Sequence, residues 1–552
     1  MDRRVFLKSL SVGAAGSFLP SVWAGPAGWG ASKRNGAVDV SKMNVLFIDI
    51  EDMTAASVGC FGNPLVKTPN LDRFAAEGIR FERCYCQAPM CNPSRTSFLT
   101  GLRPDSTRVY TNGDPMDQLL PEGTLSLPEL LRKQGIYTIN IGKLFHHTWT
   151  SNKQMSAFDR LEFCELPKGY KGVSTGYPEH LKRALKSLPK PRFRYSADPA
   201  EEKRLAELKA RRDEIWRRAK KDSREWNRAR AMFQQPMANV VGDSGLLEEQ
   251  EHDGQKARMA VHILGEMARQ EKQFFLSVGF SRPHTPLRCP KKYLDLYDIE
   301  QIPVPQAPPD KDRDIPAVAK RFGRNYDIFN DLYKHPVTPE AARKAVMAYY
   351  GCASFVDAQI GLVLKTLQRE GLKDNTIVII FSDHGFQLGE HGLWSKYTLF
   401  EQSTRIPLLM YVPGLVKKGA VCEEIVESVD LLPTLCELLK LSQPDNLEAT
   451  SLVPLLSEPR QPGKKAAFTV CPIAGYVGRS VRTRRWRYAQ WRAKKNDAQE
   501  LELYDLQADP WEQNNLAHDG AYKERLARLA DLLKSGWKAA LPDAANSAIT
   551  RC

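Results

Sequence analysis

Four short apolar runs stand out along the chain, and each is bounded by polar residues. They are NVLFIDI (44–50), IYTINI (136–141), FFLSVGF (274–280) and TIVIIFS (376–382). Their length and their β-branched and aromatic content predict strands that are buried on both faces. Segments with helical periodicity separate them, such as LPELLRKQG and VDAQIGLVLKTLQREG. This alternation predicts a large doubly wound α/β domain, with a mixed, mostly parallel sheet flanked by helices.

Polar residues capable of chemistry follow each of these four strands. In chain order they are Glu51 and Asp52, then Lys143 and His146, then His284, and finally Asp383 and His384. Parallel strands bring their carboxyl ends to one edge of a sheet, and ligands of such sheets bind beyond that edge. We therefore expect these side chains to form a single site.

A different pattern follows residue 460, where short strands and one amphipathic helix replace the long alternation. AAFTV, GRSVRTRRWRYAQWRA and LELYDL read as strands, and KERLARLADLLKSGWKAAL reads as a terminal helix. We predict a main domain over 43–460 and a small α+β subdomain over 461–552. Within the main domain, 179–235 is rich in Arg, Lys and Trp and predicts a basic helical insertion. Solvated helical faces are the favoured interpretation of this insertion, and a lip that grips a polyanion is the alternative.

The N-terminal segment has the composition of a targeting signal. MDRRVFLKSLSVGAAGSFLPSVWAG combines twin arginines, a short apolar region and small residues near Ala24. It resembles a Tat signal peptide over 1–24, followed by a flexible lead-in over 25–42. We expect the Tat export machinery as a partner and a periplasmic or secreted location. No later run reaches about 18 apolar residues, so no stable membrane span is predicted.

The net charge indicates the class of partner, and the cysteine content indicates whether the fold depends on disulfides. The 79 Lys and Arg residues outnumber the 65 Asp and Glu residues, and the net charge of +14 favours an anionic partner. For an exported chain we expect a sulfated or carboxylated polysaccharide and no nucleic acid. The 11 cysteines do not form a dense disulfide framework.

One cysteine lies in an unusual setting, the polar stretch CNPSRTSFLTG at 91–101. Pro93 suits the first turn of a helix and places Cys91 just before that helix, where anions and thiolates are stabilised. Arg95 adds a cation one turn further on. Cys91 could be a nucleophile as a thiol, but the surrounding pattern is not that of a Cys-His hydrolase. The carboxylates after the strands favour a hard cation such as Ca²⁺ or Mg²⁺.

The stretch CNPSR matches the sulfatase signature Cys-x-Pro-Ser-Arg, and TSFLTG extends the match. Further matching stretches are GCFGNPLVKTPNLDRFAAEGIRF, GKLFH, FFLSVGFSRPHTPL, SDHGFQLGEHGLWSKYTLFE and LELYDLQADPWEQNNLA. Over 44–517 the chain resembles the type I sulfatases of the alkaline phosphatase superfamily, in particular the iduronate-2-sulfatase-like branch.

This resemblance implies an altered residue at position 91 and a metal ion beside it. A formylglycine-generating maturation enzyme would oxidise Cys91 to Cα-formylglycine. One hydroxyl of the hydrated aldehyde would attack sulfur, and the other would lose its proton to expel sulfate. The implied cation is Ca²⁺, with Mg²⁺ as the alternative. Its implied ligands are Glu51, Asp52, the modified Cys91, Asp383 and His384.

The resemblance also implies roles for the remaining site residues. Arg95 and Lys143 would hold the formylglycine. His146 would accept the proton of its second hydroxyl, with His147 as the competing candidate. His284 and Lys396 would bind sulfate and assist the leaving oxygen.

The chain departs from the family pattern after its first strand. The family has Asp-Asp there, whereas this chain has Glu51-Asp52, so Glu51 reaches one methylene further out. Asp49 is expected to point the other way and to be the lesser candidate for the missing ligand. Asp253 is expected to cap a helix or to contact substrate.

The residues and the resemblance together predict an exported sulfatase that acts on an anionic, uronic-acid-containing sulfated glycan. Two alternatives stay open at this point. One is a phosphonate or phosphate ester hydrolase of the same superfamily. The other is a non-catalytic polyanion-binding protein in which Cys91 is unmodified.

Overall fold

The computed structural model describes residues 39–146, 156–162, 179–187, 199–219, 225, 241–304, 314–320, 337–473 and 475–542. The expected signal peptide, most of the lead-in and His147 lie outside these residues. So do 188–198 and most of 220–235 within the predicted insertion. The described residues belong to one compact unit that begins at Gly36.

The described strands fall into one large sheet, one antiparallel C-terminal sheet and two short pairs. In chain order they are β1 (Asn44–Ile50), β2 (Ile79–Tyr85), β3 (Tyr137–Gly142), β4 (Arg160–Glu162), β5 (Gly242–Asp243), β6 (Phe274–Phe280), β7 (Arg288–Cys289), β8 (Thr376–Ser382), β9 (Gln387–Leu388), β10 (Trp394–Ser395), β11 (Arg405–Ile406), β12 (Leu408–Tyr411), β13 (Ala420–Glu427), β14 (Ala466–Ile473), β15 (Tyr476–Thr483), β16 (Trp486–Ala493) and β17 (Gln499–Asp505).

The large sheet runs in the order β13, β2, β12, β8, β1, β6, β3, β4, and β11 also pairs with β2. Strands β8, β1, β6, β3 and β4 pair in parallel, whereas β12 is antiparallel to both of its neighbours. This topology confirms the predicted α/β fold with a mixed, mostly parallel sheet. The four predicted strands are β1, β3, β6 and β8, and their carboxyl ends lie at the same edge.

Helices cover the sheet. The described α-helices are Pro69–Glu77, Cys91–Thr100, Pro104–Thr107, Met116–Leu119, Leu127–Lys133, Glu179–Ser187, Pro199–Arg218, His252–Met267, Lys291–Leu294, Pro339–Arg369, Glu401–Thr404, Leu431–Leu438, Val453–Ser457 and Lys523–Ser535. Two of them, Glu179–Ser187 and Pro199–Arg218, fall in the predicted basic insertion. By length and composition alone, one described helix, Pro339–Arg369, could cross a membrane, and 83% of its most apolar window is buried in the protein.

Aromatic packing holds the helix Cys91–Thr100 against the sheet. The Phe98 ring lies 4.9 Å from that of Phe381 on β8, edge to face, and 6.3 Å from that of Phe47 on β1. All three rings are fully buried. Such edge-to-face pairs add about 0.5–1.5 kcal/mol each to the burial of the rings. Phe98 therefore fixes this helix relative to the strand ends that carry the candidate site.

Strands β14 to β17 form an antiparallel sheet, with the helix Lys523–Ser535 packed near it. Buried ion pairs connect this sheet to the main domain. Arg487 of β16 donates to Glu401 over 2.5 Å, and Lys464, just before β14, donates to Glu427 at the end of β13 over 2.7 Å. These pairs connect the C-terminal sheet to the helix Glu401–Thr404 and to the end of β13.

Candidate active site

Cys91 is the first residue of the helix Cys91–Thr100. The sequence predicted that it lies just before the helix, so the prediction was off by one residue. The backbone of Met90 is extended, and its carbonyl accepts the first helical hydrogen bond from Ser94 over 3.1 Å. The Cys91 side chain is 1% exposed. The helix start therefore points the Cys91 thiol into a closed, polar region at the edge of the sheet.

The end of β1 supplies two acidic side chains to this region. Asp52 has φ 63°, a left-handed conformation that aspartate tolerates better than most residues. Its N–H donates to Asp383 Oδ1 over 3.1 Å, and its carbonyl accepts from Tyr349 Oη over 2.6 Å. The chain thus turns sharply after β1, and both Glu51 and Asp52 reach the cluster around Cys91.

Two lysines pair with these carboxylates. Lys396 donates to both oxygens of Asp52, and Lys143 donates to Glu51 Oε1. The backbone of Lys143 lies directly against Gly279 of β6, where a Cβ would come within 1.8 Å of the Lys143 carbonyl oxygen. A glycine is required at that position for the lysine to occupy the end of β3.

The Cys91 sulfur is surrounded by charged or ionisable groups from three other segments. Its Sγ lies 3.3 Å from His384 Nε2, 3.5 Å from Lys396 Nζ and 3.6 Å from Glu51 Oε1. Burial is the main influence on the Cys91 thiol and raises its pKa to about 12, although Lys396 and Lys143 oppose this. Cys91 is therefore a neutral thiol at physiological pH, and its surroundings do not activate a thiolate.

Arg95 is fully buried between carboxyl groups. Its guanidinium donates to Asp383 Oδ2 over 3.0 Å, to the carbonyl of Leu144 over 2.9 Å and to Asp49 Oδ2. Asp49 therefore reaches the cluster through Arg95, whereas we expected it to point away from the site. Asp49 belongs to neither set of candidate metal donors described below, so its expected place as the lesser ligand candidate stands, and its contact with the cluster is made by Arg95.

The two histidines of the cluster are oriented by backbone carbonyls. His384 Nδ1 lies 3.0 Å from the carbonyl of Gly385, and His284 Nδ1 lies 2.7 Å from the carbonyl of Thr285. Since a carbonyl only accepts, each Nδ1 carries a proton and each Nε2 is free to bind a cation or accept a proton. Burial lowers the pKa of His384, so its imidazole is held neutral.

Neighbouring charges keep Asp383 and Glu51 ionised. Burial alone would raise the pKa of Asp383, but His384, in its protonated form, and Arg95 outweigh it and lower that pKa to about 2. For Glu51, burial is likewise outweighed by the protonated form of His284 and by Lys143, and its pKa lies well below the ordinary range. Both groups therefore offer charged oxygens at neutral pH.

The donor atoms fit a hard divalent cation. Two overlapping sets have donor atoms that all lie within 4.8 Å of one another: Glu51, Asp52, Cys91 and His284, and Asp52, Cys91, Asp383 and His384. Carboxylate oxygens are the ligands that Ca²⁺ and Mg²⁺ prefer. The neutral His384, with Nδ1 fixed on a carbonyl, presents Nε2 as an oriented metal ligand does.

The structure brings all but one of the predicted residues with described positions into this cluster. His146 is the exception, because it lies on the wall of an adjacent cavity of about 350 Å³, which Lys143 shares with the cluster. Its expected role as a proton acceptor stays a prediction. A larger cavity of about 620 Å³ lies beside the C-terminal sheet and contains none of the predicted residues.

Of the residues that build the site, one has no sequence motif and another has a role different from the helix cap that the sequence predicted. Tyr349 contacts the backbone of Asp52 from the long helix Pro339–Arg369, and no motif marks it. Asp253 caps no helix with its side chain, but accepts from the backbone N–H of Ser281 and Arg282 over 2.9 and 2.7 Å and so fixes the loop that carries His284. The spacing Asp253–Lys256, one helical turn, was the available signal.

The chain matches known families over most of its length. Residues 43–441 match the family described as Sulfatase, and 389–538 match the family described as N-sulphoglucosamine sulphohydrolase, C-terminal. The chain is 31% identical over 515 residues to a protein of Formosa agariphila named Sulfatase, covering 91% of this chain and 88% of that protein. It is 28% identical over 568 residues to iduronate 2-sulfatase of Mus musculus, covering 89% and 93%.

A solved structure shares the fold. The phosphonate monoester hydrolase of Silicibacter pomeroyi superposes with a TM-score of 0.66 at 23% identity, covering 89% of this chain and 94% of that one. The Sulfatase family match covers more than half of this chain and includes every predicted site residue. The chain therefore belongs to the sulfatase family, as a type I sulfatase of the alkaline phosphatase superfamily, and is a sulfuric ester hydrolase.

Proposed function

We propose that this protein is an exported sulfatase that removes sulfate from an anionic, uronic-acid-containing glycan, and that its nucleophile is a formylglycine made from Cys91. One observation carries the proposal. The Cys91 sulfur lies within 3.6 Å of an imidazole, an ammonium and a carboxylate, at the start of a buried helix. A cysteine that only packs in a hydrophobic core does not require charged or ionisable groups around its sulfur.

The protonation state of the thiol supports an oxidised Cys91. A thiol with a pKa of about 12 is a poor nucleophile at neutral pH. The same surroundings suit an oxygen nucleophile, because preset cations stabilise the negative charge that develops on oxygen in the transition state.

We assign the cation site to Glu51, Asp52, Asp383 and His384, with the side chain at position 91 beside them. A bound Ca²⁺ or Mg²⁺ would act as a Lewis acid on the sulfate oxygens and on the attacking hydroxyl. Arg95 holds Asp383 in place through its guanidinium, so it orients a ligand of the cation.

The remaining side chains would hold the sulfate and manage protons. The ammonium group of Lys396 pairs with Asp52 and that of Lys143 pairs with Glu51. Both ammonium groups are positioned to bind sulfate oxygens. His284 is 34% exposed, and its Nε2 lies 3.9 Å from both Glu51 and Asp52. It is thus the imidazole nearest solvent, and we assign it the protonation of the leaving alcohol oxygen.

The substrate class is inferred from charge and from relatives. The net charge of +14 favours a polyanion. The names of two matches, iduronate 2-sulfatase and N-sulphoglucosamine sulphohydrolase, refer to sulfated sugars. Export follows from the twin-arginine segment MDRRVFLKSL and makes extracellular glycans the accessible substrates.

The test is sulfate release by protein produced with a formylglycine-generating enzyme. A panel of monosulfated disaccharides is offered beside 4-nitrophenyl sulfate, phosphate monoesters and phosphonate esters, with Cys91→Ala as the blank. We expect sulfated disaccharides containing a uronic acid to have the largest kcat/KM. A larger kcat/KM for a phosphate or phosphonate ester would contradict the proposal.

Mass spectrometry of the peptide that spans Cys91 tests the modification independently. We expect an aldehyde at position 91 in active preparations, and an activity proportional to its fraction. Full sulfatase activity in protein that carries only the unmodified thiol would overturn the assignment of the nucleophile.

A further inference from the structure

A cavity of about 350 Å³ adjoins the catalytic cluster. Its volume falls in the lower part of the range of ligand pockets, about 300–1,000 Å³. Lys143 belongs both to its wall and to the cluster, so a ligand in the cavity lies next to the reacting group. The cavity is therefore the place for the part of the substrate that carries the ester.

The wall of the cavity is built from fixed, paired side chains. Lys256 donates to Asp253 over 2.8 Å and to Ser281 Oγ over 2.7 Å, and all three residues line the cavity. Asp253 also accepts the N–H groups of Ser281 and Arg282. These bonds leave little room for rearrangement, so the shape of the cavity is set before a ligand enters.

The wall also includes a buried carboxylate. Glu251 is 5% exposed, and its Oε1 has no hydrogen-bond partner among the residues that the structure describes. A buried carboxylate oxygen without a donor costs free energy comparable to a lost hydrogen bond. A ligand that supplies the missing donor would recover this free energy.

The charges of the wall indicate which donor fits. Lys256 pairs with Asp253. Burial raises the pKa of Glu251, and the positive charge of the nearby Arg282 opposes this rise. Both of these cations already have carboxylate neighbours. A neutral hydroxyl group can donate to Glu251 without adding charge.

We propose that this cavity binds the sugar ring that bears the sulfate ester, and that Glu251 accepts a hydrogen bond from one of its hydroxyl groups. The inference rests on the proposed function and refines it, because it assigns to one buried carboxylate the recognition of the sugar as distinct from the sulfate. Substrates without a hydroxyl beside the ester gain nothing from Glu251.

The test compares two substrates in four proteins. The substrates are the best disaccharide of the panel above and 4-nitrophenyl sulfate, which has no sugar hydroxyl. The proteins are the wild type, Glu251→Ala, Glu251→Gln and the control Glu249→Gln. Glu249 lies two residues away and pairs with Arg258 outside the cavity.

We expect Glu251→Ala to lower kcat/KM for the disaccharide about tenfold to a hundredfold more than for 4-nitrophenyl sulfate, the range of a hydrogen bond to a charged group. Glu251→Gln retains an acceptor oxygen and should lie between wild type and Glu251→Ala. Glu249→Gln should match the wild type on both substrates. Thermal unfolding of each variant separates a folding defect, which lowers both activities together, from a loss of recognition.

Equal losses on both substrates, or no loss on the disaccharide, would overturn the assignment of Glu251. Hydrolysis of 4-nitrophenyl sulfate without hydrolysis of any disaccharide would overturn the cavity as a sugar site, while leaving sulfatase chemistry intact. Failure of the matured wild type on both substrates would contradict the proposed function itself.

Discussion

Lys396 donates to both carboxylate oxygens of Asp52, over 2.7 and 2.9 Å. The two residues are 344 positions apart in sequence, and both side chains are buried. The ammonium group therefore lies where a divalent cation would contact the same carboxylate. Lys396 thus neutralises Asp52, and a cation bound by Asp52 would compete with it for the carboxylate.

Replacing Lys396 should strongly impair catalysis. We expect Lys396→Ala to lower kcat/KM for a sulfate ester by about 10²–10³, the range for removal of one preset electrostatic group. Steady-state kinetics of matured protein measures this. Lys495→Ala, an exposed lysine of the C-terminal sheet, is the matched control and should leave kcat/KM unchanged. A loss below threefold in Lys396→Ala would contradict its assigned role.

Removal of the cation should abolish activity without unfolding the protein. Lys396, Lys143 and Arg95 pair with the carboxylates of the site, so these charges stay compensated when the ion is absent. We expect EDTA to stop sulfate release, and Ca²⁺ or Mg²⁺ to restore it. Thermal unfolding should stay cooperative in EDTA, with Tm rising as Ca²⁺ is added, because the ion binds only the native state. Activity that survives exhaustive chelation would refute the cation site.

Glu51 provides a test of direct cation binding. Its Oε1 accepts from Lys143 and lies 3.6 Å from the Cys91 sulfur, inside the donor cluster. We expect Glu51→Gln to weaken Ca²⁺ binding at least tenfold, since it removes one charge and keeps the shape. Calorimetric titration of Ca²⁺ into Glu51→Gln on a Cys91→Ala background measures this without turnover. Unchanged affinity would place Glu51 outside the ligand set.

The ionisation of Glu427 should make the free energy of unfolding depend on pH. Glu427 is fully buried and receives two hydrogen bonds from Arg103, over 2.8 and 2.6 Å, and one from Lys464. Burial alone would raise the pKa of Glu427, but Arg103 and Lys464 lower it below its ordinary value of 4.5. The stabilisation is therefore complete above about pH 4.5 and is lost as the pH falls through the lower pKa of the folded state.

Glu427→Gln should cost about 3–5 kcal/mol of unfolding free energy at pH 7, because it leaves the buried Arg103 without its carboxylate partner. The difference from wild type should shrink as the pH falls below about 4.5. Urea unfolding at several pH values measures both effects. Glu423→Gln, on the exposed side of the same strand, is the control. A difference that does not change with pH would show that Glu427 acts through shape alone.

Asp49 should stabilise the fold through Arg95. The guanidinium of Arg95 donates to both Asp49 and Asp383. Its hydrogen bond to the carbonyl of Leu144 remains when the Asp49 carboxylate is removed. We therefore expect Asp49→Asn to cost about 1.5–3 kcal/mol, the range of a single hydrogen bond to a charged group. Chemical denaturation measures it, with the exposed Asp531→Asn as control. A stabilised Asp49→Asn would indicate that Asp49 is buried at a net cost.

The sequence predicted the centre of this fold well because the relevant signals are local. Strands β1, β6 and β8 coincide with their predicted ranges, since each is an unbroken apolar run between polar residues. Their parallel order then places Glu51 and Asp383 together without further information. The helix start at Cys91 was off by one residue, because the extended backbone of Met90 and not the position of Pro93 determines where the helix begins.

The parts that were missed depend on contacts between distant segments. Asp49 and Arg95 are 46 positions apart, and only the packed helix reveals their pairing. Glu251 lies in the acidic stretch EEQEHDG without a motif of its own, because the burial that distinguishes it arises from tertiary packing. Likewise, no local pattern connects Glu401 to Arg487 across the two sheets.

The burial of the helix Cys91–Thr100 also bears on biosynthesis. Every residue of that helix is buried. The enzyme that we propose to oxidise Cys91 would therefore reach it only while the helix is still unpacked. Maturation would then compete in time with folding, and the fraction of active protein would depend on the ratio of the two rates. A mutation far from the site that merely speeds folding would leave more chains permanently inactive.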